Sequence, residues 1–112
     1  MDVIVSDFDN TLFKRYVGVL WPQVNYLKER GYPVYIVTYR AEDQHGFIKE
    51  TMAETGLMVA GYGFAGSRKK EPTTKFAIID EILTRHNIVE ALDDDSAVCA
   101  GYEERGIKCV LA

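Results

Sequence analysis

The chain has 112 residues, of which 47% are hydrophobic and 27% charged, with 13 Lys+Arg against 17 Asp+Glu and a formal charge of −4. That length supports one domain with its own core, so residues 1–112 are read as a single domain; the apolar content excludes disorder, and no apolar run approaches the ~18 residues that span a bilayer. The acidic balance argues against a general nucleic-acid coat but leaves room for a local basic patch. Met1-Asp2-Val3-Ile4-Val5 shows no basic n-region and no apolar h-region, so no signal peptide is visible. Cys99 and Cys109 are too few for a disulfide framework and read as buried thiols in a reducing compartment, which makes the cytoplasm the expected location.

The pattern along the chain alternates. An apolar strand, Val3 to Ser6, opens it. Val24 and Leu27 then share one helical face, and Glu29-Arg30-Gly31 ends that helix just before the run Val34-Tyr35-Ile36-Val37. Ile48, Met52 and Thr55 form a second face, stopped at Gly56 before Leu57-Met58-Val59-Ala60. Phe76, Ile79, Ile82, Leu83 and His86 make the clearest stripe, with Thr73 as N-cap after Pro72 and Asn87 as the stop before Ile88-Val89. A last helix starts near Ala97, capped by Asp95 or Ser96, and ends at Gly106 before the run Ile107 to Leu111. Gly and Asn tolerate the left-handed conformation that closes helices, and short β-branched runs suit strands buried on both faces. The order βαβαβαβαβ predicts an α/β fold with a five-stranded, mainly parallel sheet and helices on both faces.

Ligands of such sheets bind beyond the carboxyl ends of the strands. The first strand ends in Ser6-Asp7-Phe8-Asp9-Asn10-Thr11, the second in Thr38-Tyr39-Arg40, the third in Ala60-Gly61, and the fourth in Asp93-Asp94-Asp95. If the first and fourth strands are neighbours, at least three carboxylates share a crevice. Two such charges ~4 Å apart repel by ~4 kcal/mol at an effective dielectric near ~20, so the cluster must take up protons or a cation. Oxygen donors without His or Cys point to Mg²⁺ rather than zinc. N-capping accounts for Asp95 or Ser96 but not for all of Asp7, Asp9, Asp93 and Asp94. Lys75 sits in the first turn of its helix, where the macrodipole disfavours a cation; taken alone it reads equally as a solvated surface lysine or as a cation aimed at a phosphate. Thr38 could add a hydroxyl donor there.

These residues resemble the haloacid dehalogenase (HAD) superfamily of aspartate-nucleophile phosphotransferases. An apolar strand followed by Asp-x-Asp-x-Thr matches Val3 to Leu12; a strand ending in Thr matches Tyr35 to Thr38; a lysine opening the helix before the fourth strand matches Lys75, with Lys69 and Lys70 as weaker candidates; an acidic pair closing the fourth strand matches Asp93-Asp94. The resemblance implies a Rossmann-like HAD fold and a phosphatase. Asp7 would be the nucleophile and Asp9 the acid/base. Mg²⁺ would be held by Asp7, the Asp9 backbone carbonyl and Asp93, with Asp94 as a ligand or just behind one. Thr38 and Lys75 would bind the phosphoryl group.

Both sites where this family inserts a cap domain, about Phe13 to Leu20 and about Gly61 to Thr74, are too short for one, which implies a capless member. Thr38-Tyr39-Arg40 with the acidic pair is most similar to the phosphatase domain of polynucleotide kinase/3′-phosphatase proteins. That implies a polynucleotide 3′-phosphate as substrate and Arg40 as a substrate-binding residue. A nucleotide or sugar phosphate, or a non-catalytic phosphate-binding module, are the alternatives. Tyr16, Tyr39, Tyr62 and Phe64, with Arg40, Arg68, Lys69 and Lys70, could stack a terminal base and hold its backbone; they read equally well as loop packing and a solvated basic loop. Gly61 to Gly66 matches Gly-x-Gly-x-x-Gly, yet Ser67 to Thr74 delays the helix and Asp80 lies inside it, so a dinucleotide site is rejected, as is a P-loop. A phosphoacceptor receiver domain is rejected because the third strand ends without an Asp.

Overall fold

The computed structural model describes residues 1–112. Its element order is β1 (Asp2–Ser6), β2 (Phe13–Lys14), β3 (Gly18–Val19), α1 (Trp21–Arg30), β4 (Val34–Thr38), a 3₁₀ turn (Glu42–Gln44), α2 (His45–Thr55), β5 (Val59–Phe64), α3 (Pro72–Leu83), β6 (Asn87–Asp93), α4 (Ser96–Glu104) and β7 (Cys109–Leu111). Five strands form one sheet in the order β5-β4-β1-β6-β7, every neighbouring pair parallel. Numbering only those five strands, this is 3-2-1-4-5, the Rossmann-type order rather than the 2-1-3-4-5 order of receiver domains. The direction of winding reverses at β1, so the switch-point crevice opens beside its carboxyl end.

Val3, Ile4 and Val5 are fully buried because the sheet is covered on both faces. Val3 and Val5 point into a core with Phe76, Ile79 and Ile82 of α3 and Val98 and Tyr102 of α4. Ile4 faces the other way, onto Val24 and Leu27 of α1 and Ile48 and Met52 of α2. Each such side chain contributes roughly 1.5–3 kcal/mol on burial. A bulge shifts the β1–β6 register between Val3, opposite Ile88, and Ile4, opposite Glu90. Glu90 is fully buried, where it accepts hydrogen bonds from Tyr26 and Arg30 and pins α1 against β6.

The expected parallel sheet, helices and order of elements are present, with local departures. The third strand starts two residues later than the Leu57–Ala60 run and continues through Phe64. Gly61 and Gly63 are strand residues for a packing reason: a Cβ on Gly61 would stand 2.4 Å from the Tyr35 ring, and one on Gly63 would stand 2.6 Å from Cγ2 of Ile78. Helix α3 takes Glu71 as its N-cap and Pro72 as its first residue, so Thr73 lies inside it. It ends at Leu83, and Asn87 opens β6 instead of capping the helix. The small antiparallel hairpin of β2 and β3 was not expected, since two-residue strands carry no alternation to detect. Cys99 and Cys109 are not free thiols: α4 folds back against β7, bringing their Cα atoms within 5.2 Å, and the sulfurs are joined as a disulfide.

Candidate phosphate and metal site

Register builds the site. Ser6 at the end of β1 is level with Leu92 of β6, and the Asp7 N–H donates to the Leu92 carbonyl at 2.9 Å. The next residue on each chain is an aspartate, so Asp7 and Asp93 emerge side by side at the switch point. Asp93 is held in place from behind, one oxygen accepting from the Asp95 backbone N–H at 3.0 Å. Asp95 in turn caps α4 by accepting from Ala97 N–H at 2.8 Å, as the sequence suggests.

Lys75 joins the two acids. Its ammonium lies 2.9 Å from Oδ1 of Asp7 and 2.9 Å from Oδ2 of Asp93, and all three side chains are almost completely buried. The reading of Lys75 as a solvated surface lysine is therefore excluded. Its place in the first turn of α3 aims the stem into the crevice, and the two carboxylates offset the unfavourable helix dipole. The other oxygen of Asp7 accepts from the Thr11 hydroxyl at 3.1 Å, one helical step along the loop. Asn10, between them, takes a left-handed conformation with φ 61°, which asparagine tolerates better than most residues.

The electrostatics follow from burial. Burial raises the Asp7 carboxyl to about 7 even against the Lys75 ammonium, and the neighbouring Asp93 charge adds to the rise. Asp93 is raised as well, chiefly by burial, with Lys75 opposing. Burial acts to lower Lys75, but the charges of Asp7 and Asp93 outweigh it and hold the ammonium above its ordinary range.

Asp94 completes an acidic cluster. Asp7, Asp93 and Asp94 each present a carboxylate oxygen within 4.8 Å of the others. The donors are hard oxygens with no His or Cys among them, which fits Mg²⁺ and similar cations rather than zinc. The Asp9 carboxylate lies outside this trio. It is held by the Arg40 guanidinium through two parallel bonds of 2.8 and 2.7 Å. Arg40 is itself fixed, lying over the rings of Phe8 and Phe47 and donating to Gln44. The Thr38 hydroxyl is buried and accepts from the Arg40 backbone N–H at 3.1 Å, closing a tight turn at the end of β4.

A cavity of about 70 Å³ opens over these groups, lined by Asp7, Asp9, Asn10, Tyr39, Lys70, Asp93, Asp94 and Asp95. Thr38 and Lys75 lie beneath this lining, not in it. A shallower groove of about 370 Å³ adjoins it across Tyr39 and carries Arg40, Ser67 and Arg68. Tyr39, unassigned by the motif pattern, has its ring face 4.5 Å from the Lys75 ammonium, and its hydroxyl is buried without a hydrogen-bond partner. Lys70 reaches the cavity and Arg68 the groove. Tyr62 and Phe64 belong to β5, not to loops, and both rings pack against His45. Tyr16 stands 93% exposed at the tip of the hairpin. Of the four aromatics that could stack a base, only Tyr39 lines the crevice.

Fold and site together define an α/β protein of Rossmann-like topology with a buried Asp–Lys–Asp cluster at its switch point. No family model matches the sequence, and no curated protein matches it. Among solved structures, chains from two structures of the Pnkp1/Rnl/Hen1 RNA repair complex are similar, with TM-scores of 0.81 and 0.80 and 18% sequence identity in both cases. Each superposition covers 99% of this chain and 42% or 45% of the other, so this chain spans less than half the length of those chains. At that identity the likeness shows a shared fold. No helix is long and apolar enough to cross a membrane.

Proposed function

We propose that residues 1–112 form one capless, HAD-like phosphatase domain, a Mg²⁺-dependent phosphomonoesterase acting through an aspartyl-phosphate, with a polynucleotide 3′-phosphate as its favoured substrate. The observation that carries this reading is the buried Lys75 ammonium bridging Asp7 and Asp93 beside the open carboxylate of Asp94. A structural ion pair has no need of a third, unpaired acid at the same point, whereas phosphoryl transfer needs a nucleophile, a cation site and a fixed positive charge together. Asp7, Asp93 and Asp94 would hold the ion, with the Asp9 backbone carbonyl as a further donor. Bound there, Mg²⁺ would supply positive charge for the phosphoryl oxygens and for the nucleophile.

In the first step an ionised Asp7 oxygen attacks phosphorus, the bond to the leaving oxygen breaks, and Asp9 gives that oxygen its proton. In the second, water attacks the same phosphorus, its proton passes to Asp9, and the Asp7–phosphorus bond breaks to release phosphate. Thr38 and Lys75 donate to the phosphoryl oxygens from the end of β4 and the start of α3. Arg40 holds both oxygens of Asp9 in the resting arrangement, so Asp9 acts as the acid only after it has left that pair and taken up a proton from solvent. A nucleic-acid end is favoured because the adjoining groove, with Arg40 and Arg68, meets the cavity at Tyr39, and because the fold is shared with chains of an RNA repair complex. The packing of Tyr62 and Phe64 away from the crevice favours the second reading, a nucleotide or sugar phosphate, since it leaves little aromatic surface for stacking.

The test is phosphate release with Mg²⁺, and with EDTA as control, from a 3′-phosphorylated oligonucleotide, a mononucleotide and an aryl phosphate. Asp7→Asn is expected to abolish turnover on all three while leaving the fold intact. Wild-type turnover by that variant would remove the nucleophile. Equal rates on oligonucleotide and mononucleotide would move the substrate to the second reading, and an inactive, Mg²⁺-loaded wild type would leave a phosphate-binding module.

A further inference from the structure

We infer that Tyr39 is a positioning residue for Lys75, its ring serving as the third wall of the pocket that fixes the ammonium; the inference rests on the phosphatase reading for its kinetic arm only. Lys75 has three N–H donors and two carboxylate partners, Asp7 and Asp93, each at 2.9 Å. The remaining side of the ammonium meets the face of the Tyr39 ring at 4.5 Å to the centroid. A cation on an aromatic face is attracted by the ring quadrupole, most strongly where water is excluded, and Lys75 is 1% exposed.

The ring's role becomes distinct once either carboxylate turns to another partner. Asp7 must release Lys75 in part to use its oxygen as a nucleophile, and Asp93 has only two oxygens, one of them already accepting from Asp95. The Tyr39 face carries no carboxylate that the reaction must occupy, so it keeps the ammonium in place at the floor of the crevice while Asp7 and Asp93 are engaged elsewhere. Tyr39 is able to do this because it sits between Thr38, which ends β4, and Arg40, whose backbone N–H is tied to Thr38 and whose side chain is tied to Asp9. The backbone on both sides of the ring is therefore fixed.

The hydroxyl takes no part. Its oxygen is buried with no hydrogen-bond partner, an arrangement that costs free energy and that phenylalanine would relieve. The ring and not the phenol is the operative group, and this separates the inference from a hydrogen-bonding role.

Three variants of the full chain test it: Tyr39→Phe, Tyr39→Leu and, should leucine fail to fold by far-UV circular dichroism, Tyr39→Met, which keeps bulk without an aromatic face. Two readouts are compared. One is steady-state kinetics on an aryl phosphate with Mg²⁺. The other, independent of turnover, is acetylation of Lys75 by a water-soluble N-hydroxysuccinimide ester, quantified by mass spectrometry. The leucine or methionine variant is expected to lose about 10–30-fold in kcat with KM nearly unchanged, and to label Lys75 several-fold faster. Phenylalanine is expected to restore both, with a Tm equal to or above that of the wild type.

Wild-type kcat and wild-type protection of Lys75 in the leucine variant would overturn the inference. Equal losses in the phenylalanine and leucine variants would also overturn it, by assigning the role to the hydroxyl. If the wild type proves inactive, the phosphatase reading fails, and the labelling comparison alone decides the pairing of Tyr39 with Lys75.

Discussion

Asp93 and Asp94 are adjacent in sequence and opposite in environment. Asp93 is buried, bonded to Lys75 and to the Asp95 backbone, and points into the core of the site. Asp94 is exposed and makes no ion pair, and its oxygen lies within 4.8 Å of those of Asp7 and Asp93. A carboxylate so placed has little effect on the fold and a direct effect on any cation that enters. Asp94→Asn is therefore expected to leave the unfolding free energy in EDTA within about 0.5 kcal/mol of the wild type. It is also expected to raise the Mg²⁺ concentration for half-maximal response at least about tenfold, read by calorimetric titration or by the Mg²⁺ dependence of phosphate release. An unchanged Mg²⁺ response would remove Asp94 from the cation site. Asp7, Asp9, Lys75 and Asp93 were legible in the sequence because each sits at a fixed offset from a strand end or helix start, and parallel topology carries those ends to one edge. The partner of each was not. That Asp9 pairs with Arg40, and that Tyr39 faces Lys75, are contacts across 31 and 36 positions of chain. They depend on rotamers and loop paths with no local periodicity to reveal them.

At the scale of elements, α3 matters most, because it carries Lys75 to the site and its seat on β5 is set by a glycine. Gly63 is buried, and a Cβ there would stand 2.6 Å from Cγ2 of Ile78, one turn beyond Lys75 on the same helix. That methyl is attached directly to the Ile78 Cβ, so it can give way only by rotation about χ1 or by a shift of the helix. Gly63→Ala is expected to cost about 1–3 kcal/mol by overpacking, a drop of several degrees in Tm for a chain this size, and to lower kcat by displacing Lys75. Ile78→Ala in the same chain is expected to recover part of both losses, a coupling measurable in a double-mutant cycle. Strictly additive losses would show that Gly63 and Ile78 do not share this contact. The same glycines explain why β5 was placed too early in the sequence. Gly61 and Gly63 resemble loop punctuation, and only the neighbouring Tyr35 and Ile78 side chains disclose that the strand continues through them. The hairpin of β2 and β3 and the Cys99–Cys109 bond were hidden for related reasons: one has strands of two residues, and the other depends on how α4 turns back onto β7.

For the molecule as a whole, the site is an electrostatic liability that a bound cation would relieve. Asp7 is raised from 3.8 to about 7, so between roughly pH 4 and 7 the folded chain holds a proton that the unfolded chain has already lost. Stability therefore falls as pH rises through that window, and above it the folded state carries the full cost of a buried ionised acid. Asp93 is raised too and acts in the same direction. Lys75, held above its ordinary value of 10.5, contributes stability that stays constant through this range and is lost only at higher pH. A divalent ion held by the ionised carboxylates would reverse the trend, stabilising the folded state in proportion to its occupancy. Proton and cation compete for the same oxygens, so the rise in Tm on adding Mg²⁺ is expected to be clearly larger at pH 8 than at pH 5.5, measured by differential scanning calorimetry at constant ionic strength. Asp93→Asn is expected to remove most of the effect at both pH values, since it deletes the acid that anchors the trio. A Mg²⁺-induced shift of equal size at the two pH values, or one that survives in Asp93→Asn, would mean that the cation binds elsewhere on this acidic surface and that the crevice between β1 and β6 is not its site.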